Sequence, residues 1–265
     1  MSNNKPFFNR TRLLLGDEAM NRLDDIRVII FGVGGVGSWC AEGLVRSGIG
    51  HLTIVDSDRV CITNVNRQLM ATSETIGMVK VEALKQRLLQ INPSAEIVAV
   101  QKIYSEETAP EFDLDSFDYV VDAIDSLKDK ASLILNATRS KAKFFSSMGA
   151  ALKLDPTTIK VAEFWNVKGC PLARALRQKF KREKKYPARK FKCVYSDELL
   201  KNRGQASSCG TDRCVCPKSE IAPGDPALAN HEWCSSKAQI NGSLMHITSI
   251  FGLTISGLIL QDAVS

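Results

Sequence analysis

The sequence predicts an α/β fold: a doubly wound, mainly parallel sheet extended by antiparallel strands, with an N-terminal helical arm. Three observations carry that expectation. Val28-Ile-Ile-Phe31 is a short apolar run of the kind that fills a buried parallel strand. Gly32, Gly34 and Gly37 follow as G-x-G-x-x-G, with Gly35 as an extra glycine, and helical spacing begins at Ser38. From there to about residue 148, strand and helix patterns alternate, which implies parallel strands covered on both faces. Strand, glycine turn and helix start together make a Rossmann-like unit, in which free amides and the helix dipole favour a phosphate.

The elements follow in order. Residues 1–26 read as an amphipathic arm carrying Arg10, Arg12 and Leu13-Leu-Leu15. Strands are predicted at 27–31, 51–55, 96–100 and 118–123. A helix at about 78–91 presents Val79, Val81, Leu84, Leu88 and Ile91 on one face, and Asn92-Pro93 ends it. A second helix fits 128–139, and Lys143-Phe-Phe-Ser-Ser147 starts another strand. After residue 150 the pattern changes: 159–165 alternates polar and apolar like an antiparallel strand, and 202–235 is Gly-, Pro-, Ser- and Cys-rich loop. Gly242 to Leu260 approaches membrane-span length, but His246 and several Ser and Thr residues interrupt it. A buried closing helix is favoured there over peripheral membrane contact. The chain thus divides, within a single domain, into an arm (1–26), a nucleotide-binding core (27–150), a basic and Cys-rich substrate region (151–241) and a closing helix (242–265).

Hydrophobic content of 44% and charged content of 24% are those of an ordinary soluble globular protein. Met1-Ser-Asn-Asn-Lys-Pro6 lacks the apolar run of a secretory signal, so a cytoplasmic location is expected. In that setting the eight cysteines read as thiols, metal ligands or nucleophiles rather than as a disulfide framework.

The strand His51-Leu-Thr-Ile-Val55 ends in Asp56, nineteen residues after Gly37, the spacing of a carboxylate that holds a ribose hydroxyl. Asp58 and Asn64-Val-Asn-Arg-Gln68 follow. Hydride transfer has no use for such a segment, but nucleotidyl transfer does: Arg67 pairs with phosphate oxygens, and Asn64 and Gln68 orient ribose or phosphate groups. Lys80 adds a cation at the next helix start. Asp122 and Asp125 end a strand, where open α/β sheets bind ligands, and a carboxylate there can hold Mg2+ against phosphates. No G-K-[ST] follows the glycines, which excludes a P-loop kinase. An NAD-dependent oxidoreductase is disfavoured by the absence of an obvious acid/base pair for hydride transfer.

G-x-G-G-x-G-S at 32–38, Asp56-x-Asp58, N-x-x-R-Q at 64–68, Lys80 and D-x-x-D-S at 122–126 together resemble the ThiF-type adenylating superfamily. That superfamily includes the ubiquitin-activating enzymes and the molybdopterin- and thiamine-pathway activators. Within it, residues 48–56, Cys193-Val-Tyr-Ser196 and 242–252 most resemble the tRNA threonylcarbamoyladenosine dehydratases. The resemblance implies that ATP adenylates the threonyl carboxylate of the modified adenosine beside the anticodon, and that the activated acyl group closes a ring with net loss of water. It also implies roles: Gly32, Gly34, Gly35 and Gly37 line the nucleotide loop, and Asp56, Asp58, Asn64 and Gln68 bind the nucleotide. Arg67 and Lys80 contact phosphates, Asp125 coordinates Mg2+, and Arg10 (or nearby Arg12) reaches the ATP of a second subunit in a homodimer. The alternative within this superfamily is an activator of a ubiquitin-like sulfur carrier protein.

Cys209, Cys214, Cys216 and Cys234 are spaced C-x4-C-x-C and then eighteen further on, unlike the paired C-x2-C of structural zinc sites. Zinc is therefore a candidate that the spacing does not support. Cys234 lies roughly where some of the dehydratases have a cysteine, and its thiolate could capture the acyl-adenylate as a thioester. Because the ring-closing nucleophile already sits on the substrate, that step is not chemically required. Residues 174–192 hold ten basic residues against Glu183 alone, interleaved with Phe180, Tyr186 and Phe191. This favours a tRNA phosphate backbone over a merely solvated charged helix. A sulfur-relay protein is a further candidate partner.

Overall fold

Arg27–Phe31 (β1) buries its last four residues, and a strand so enclosed belongs at the centre of a sheet. In the computed structural model, which describes residues 6–204 and 241–265, β1 does lie centrally. The other strands are His51–Val55 (β2), Glu96–Val100 (β3), Tyr119–Asp122 (β4), Lys143–Ser147 (β5), Ile159–Glu163 (β6) and Lys192–Ser196 (β7). They form a seven-stranded sheet in the order β3-β2-β1-β4-β5-β7-β6. Every neighbouring pair is parallel except β6 and β7, so the antiparallel extension is confined to one edge strand. The order reverses direction between β1 and β4, and the crevice beyond their C-terminal ends is where such sheets take ligands.

Helices cover both faces. On one side Asp17–Asp25 (α2, after the short arm helix Asn9–Leu15, α1), Gly37–Arg46 (α3), Lys80–Ile91 (α4) and Met245–Val264 (α7) enclose a core that includes Leu23, Leu44, Leu84 and Phe251. On the other side Leu127–Ala137 (α5) and Pro171–Glu183 (α6) pack over Phe31, Phe144, Phe164 and Phe180. Up to β5 the strand-and-helix alternation breaks once. Between β3 and β4 the chain forms only the short turns Ala109–Glu111 and Leu114–Ser116, and Tyr104 and Phe112 cover Phe31 in place of a helix.

α7 is long and apolar enough to cross a membrane, yet it is laid along α3. Its ends are fastened by polar contacts. At the C-terminal end, Tyr119 and Lys143 both reach Asp262, at 2.7 and 2.6 Å. Just before its N-terminal end, Asn66 donates to the Ser243 carbonyl at 2.9 Å. Between them the two helices touch through glycines. A β-carbon placed on Gly252 would lie 2.3 Å from the Val36 carbonyl oxygen and 2.8 Å from the Cys40 amide nitrogen. Both are backbone atoms and cannot rotate aside.

This contact yields a paired prediction. Gly252→Ala should lower stability by about 1–3 kcal/mol through overpacking, seen as a lower Tm. Gly257→Ala lies on the same helix with open space around its Cβ, and should gain up to about 1 kcal/mol from helix propensity. Thermal unfolding of both variants checks this, and equal shifts would show that the α3–α7 contact is not tight.

Candidate active site

The glycine loop sits at the reversal between β1 and β4 and is built by close approach. Gly32 has φ +84°, and a Cβ there would lie 2.8 Å from the Ala123 carbonyl oxygen. A Cβ on Gly37 would lie 1.9 Å from the Gly32 carbonyl oxygen. These two glycines are therefore steric necessities that fold the loop onto the β4–α5 turn. Gly35 faces Thr248 on α7, and Gly34 faces the Gln68 side-chain amide. α3 begins at Gly37, and Ser38 donates its hydroxyl to the Gly34 carbonyl at 2.6 Å.

The next segment is tied to this helix start. Leu69 donates its amide to Ser38 Oγ at 3.3 Å, and Trp39 Nε1 donates to the Arg67 carbonyl at 3.0 Å. Asn64 is buried, and its side-chain oxygen accepts from the Cys61 amide at 3.0 Å, shaping the turn that presents Arg67 and Gln68. Arg67 folds back on Thr63 and Asn66 at 2.9 and 3.0 Å. Gln68 is buried beside the loop, and its Oε1 has no hydrogen-bond partner among the described residues. A buried amide oxygen left unmatched costs free energy, and a ligand hydroxyl or amino group donating to it would relieve it.

Asp56, Asp58 and Lys80 gather at the C-terminal end of β2. Asp56 accepts from the Val33 amide at 2.8 Å and from the Asp58 amide at 2.9 Å, binding the glycine loop to β2. Lys80 is buried, and its ammonium pairs with Asp58 at 2.8 Å. Burial pulls the Lys80 pKa down, but Asp58, Asp56 and Asp125 more than offset this and leave it above the ordinary lysine value. Burial raises Asp56 above the usual carboxylate range, with Lys80 pulling against it. The result is a fixed cation beside the glycine loop, with Asp125 close enough to feel its charge. Lys80 is no freely solvated lysine.

Asp122 and Asp125, equivalent by sequence, are separated by the structure. Asp122 is buried and makes a buried ion pair with Lys130 at 2.8 Å. Ser146 on the neighbouring strand donates to it at 2.6 Å, and the Ile124 amide at 3.1 Å. Burial raises its pKa, with Lys130 opposing. Lys130 also donates to the Ile124 carbonyl at 2.9 Å, so Asp122 and Lys130 brace the turn that leads to Asp125. Asp125 itself is exposed at the mouth of the crevice. Lys130 was not singled out from the sequence: Lys128 stands in the same first turn of α5, and nothing local marks Lys130 as the buried one.

Other expectations fall elsewhere. Arg10 is exposed on α1, which packs on α2 and the Pro6–Phe8 turn, while Arg12 is engaged by Asp17 at 3.0 Å. Cys209, Cys214, Cys216 and Cys234 lie outside the described residues, so neither zinc nor a thioester is addressed there. Among the described residues no group of three or more His, Cys, Asp or Glu side chains is arranged to hold a metal ion. Asp125 nonetheless suits Mg2+, which characteristically takes one or two carboxylates and completes its shell with phosphate oxygens and water. ATP fits the same site: the glycine loop at the start of α3 and the buried Lys80 cation suit phosphate, and the unmatched Gln68 oxygen suits a hydroxyl or amino donor of a nucleoside.

The buried pair generates a prediction. Lys130→Met leaves Asp122 as an uncompensated buried carboxylate, so stability at pH 7 should fall by about 3–5 kcal/mol. With its folded pKa raised, Asp122 is tolerated when protonated and penalised as pH rises through that pKa. The deficit should therefore shrink as the pH is lowered from 7 into the acid range. Chemical denaturation across that range checks this, and a deficit independent of pH would count against the buried charge.

Comparison with known proteins agrees with the geometry. The tRNA threonylcarbamoyladenosine dehydratase of Bacillus subtilis is 34% identical over 257 residues, 96% of this chain and 93% of that protein. The crystal structure of the Escherichia coli tRNA N6-threonylcarbamoyladenosine dehydratase in complex with ATP superposes with a TM-score of 0.77 at 30% identity. It covers 97% of this chain and 93% of the other. The molybdopterin-synthase adenylyltransferase of Escherichia coli matches less, at 30% over 150 residues, 56% of this chain and 59% of that protein. Residues 8–261 match the ThiF family profile, and the chain belongs to that family.

Proposed function

We propose that the chain is an ATP-dependent tRNA cyclodehydratase acting on threonylcarbamoyladenosine next to the anticodon. The observation that carries this is the pairing of a glycine loop with the buried Lys80 cation at the sheet's reversal point. A loop with that surrounding suits a nucleoside triphosphate better than a nicotinamide dinucleotide. The likeness to named dehydratases runs nearly end to end, which favours the tRNA substrate over a sulfur carrier protein.

The reaction needs activation because a carboxylate is a poor electrophile. The threonyl carboxylate oxygen attacks the α-phosphorus of ATP, the bond to the bridging oxygen breaks, and pyrophosphate leaves. The carbamoyl group of the same nucleoside then attacks the acyl carbon, losing a proton as AMP departs and the ring closes. The oxygen lost as water leaves in AMP. The protein's part is to align carboxylate and α-phosphate and to neutralise charge. Gly34 and Gly35 present the loop to the triphosphate, Asp56 and Gln68 hold the ribose, whose hydroxyls can donate to them, and Arg67 and Lys80 meet phosphate oxygens. Asp125 holds Mg2+, which supplies electrostatic shielding of the triphosphate. Arg10, exposed on α1, reaches the nucleotide of a partner in a homodimer. The location proposed is cytoplasmic.

The test is direct. Purified protein with ATP, Mg2+ and tRNA carrying the open threonylcarbamoyl form should yield, after digestion, that nucleoside lighter by one water. Asp125→Ala should lower the rate by about 100-fold or more, the scale of losing one major charge-stabilising group. Retained mass with the wild-type protein would overturn the assignment. An unimpaired Asp125→Ala would remove the metal role.

A further inference from the structure

The basic segment does not divide as its sequence suggests. Phe180 and Phe191, which look interleaved for stacking, are buried in the core under the sheet. Arg189 is exposed but already engaged, since it donates to the Ala137 and Ala142 carbonyls and fastens the end of α5. Arg177 donates to the Phe164 carbonyl at 3.1 Å and lies over that ring. What α6 leaves outside is narrower. Ala173, Leu176 and Phe180 form its inner stripe, and Arg174, Lys181 and Arg182 project from the opposite side into solvent. Lys184 turns the chain in the left-handed conformation, so that Lys185 and Tyr186 continue the same exposed line.

Two aromatic rings close this line. Tyr186 is 50% exposed and Trp165 38%, with ring centroids 6.3 Å apart. Trp165 is seated edge-on against Phe164 at 5.2 Å, and Phe164 stacks on Phe191 at 5.0 Å. The outer rings are thus the end of an aromatic series anchored in the core, which presents them with little conformational freedom left to lose. A rigid aromatic pair beside a row of exposed cations, of which among the described residues only Arg182 lies near a carboxylate (Glu183, 3.5 Å), calls for a ligand with both rings and negative charge, and a nucleic acid has both.

The location is also informative. Glu163, the last residue of β6, lies opposite Lys192, the first of β7, so the Trp165 turn is at the N-terminal edge of the parallel strands. The start of α6 is at the other edge, where Leu172 approaches Gly149 beyond β5. α6 therefore runs down the flank of the sheet for roughly 20 Å, from the edge that holds the glycine loop to the opposite edge.

We propose that the outer face of α6, with Tyr186 and Trp165 at its end, is the surface that holds the tRNA away from its reacting nucleoside. Arg174, Lys181, Arg182 and Lys185 follow the phosphate backbone along the flank of the sheet, and the ring pair stacks against a nucleobase. This rests on the tRNA reading above and adds where the body of that tRNA lies.

The experiment measures equilibrium binding of tRNA carrying the open threonylcarbamoyl form, as a function of salt, with ATP affinity as the check on folding. Arg174→Glu/Lys181→Glu/Arg182→Glu should weaken tRNA binding at least about tenfold and reduce the steepness of its salt dependence by about two to three, with ATP affinity unchanged. Tyr186→Ala should weaken tRNA binding about fivefold or more with the salt dependence unchanged, because stacking releases no counterions. If the wild-type protein binds tRNA and the triple variant binds equally well, the surface is wrongly placed while the tRNA reading stands. If the wild-type protein does not bind tRNA, both fall. An unchanged Tyr186→Ala would remove the ring contact.

Discussion

The site depends on a steric constraint before any charge comes into play. Gly37 must lie where a side chain would strike the Gly32 carbonyl, and Gly32 must lie where one would strike Ala123. Meeting both conditions folds the end of β1 against the end of β4 and aims the first turn of α3 into the crevice between them. The amide array and dipole that attract phosphate are consequences of that approach. Asp56 then locks the loop to β2 through the Val33 amide. Strand order, loop shape and ligand position are in this sense one decision, taken where hydrogen is the only tolerated side chain.

Two ion pairs flank the loop, and they serve different ends. Asp122 and Lys130 are both sealed from solvent, and their neighbours Ser146 and Ile124 satisfy the remaining polar atoms. Such a pair adds little net stability over an apolar one, but it fixes a geometry, because neither charge can be moved without exposing the other. Lys80 and Asp58 differ in that the lysine is buried and the aspartate half-exposed. There the carboxylate can be exchanged for a phosphate without stranding the lysine. The contrast between a closed pair and an open pair separates the residues that build the crevice from those that act in it.

Much of this was legible in the sequence. The glycine spacing, Asp56, Lys80 and the strands around them were readable because each is specified locally, by a turn or by a run of apolar residues. What escaped was specified at a distance. Nothing local distinguishes Asp122 from Asp125 as the buried member, since that depends on Lys130 one turn into the next helix and on Ser146 across the sheet. The β3–β4 crossover carried no helical signal, and only the structure shows that its aromatic residues Tyr104 and Phe112 do the covering there. In the basic segment the charges drew notice away from the spacing of Ala173, Leu176 and Phe180, an ordinary amphipathic stripe.

The arrangement of α6 bears on how an adenylating fold acquires a large substrate. The crevice at the C-terminal ends of the strands can activate any carboxylate brought to it, so discrimination has to come from outside the crevice. A helix that begins beside that edge and descends the flank of the sheet offers a long contact without intruding on the nucleotide. Its inner stripe is held in the second core by Phe164 and Phe180, so its outer charges stand on a rigid base. α7, the other long flank, is apolar and committed to α3. Among the described residues, one flank is closed by a glycine-tight helix contact and the other carries exposed cations, so the proposed approach of the tRNA is from the α6 side.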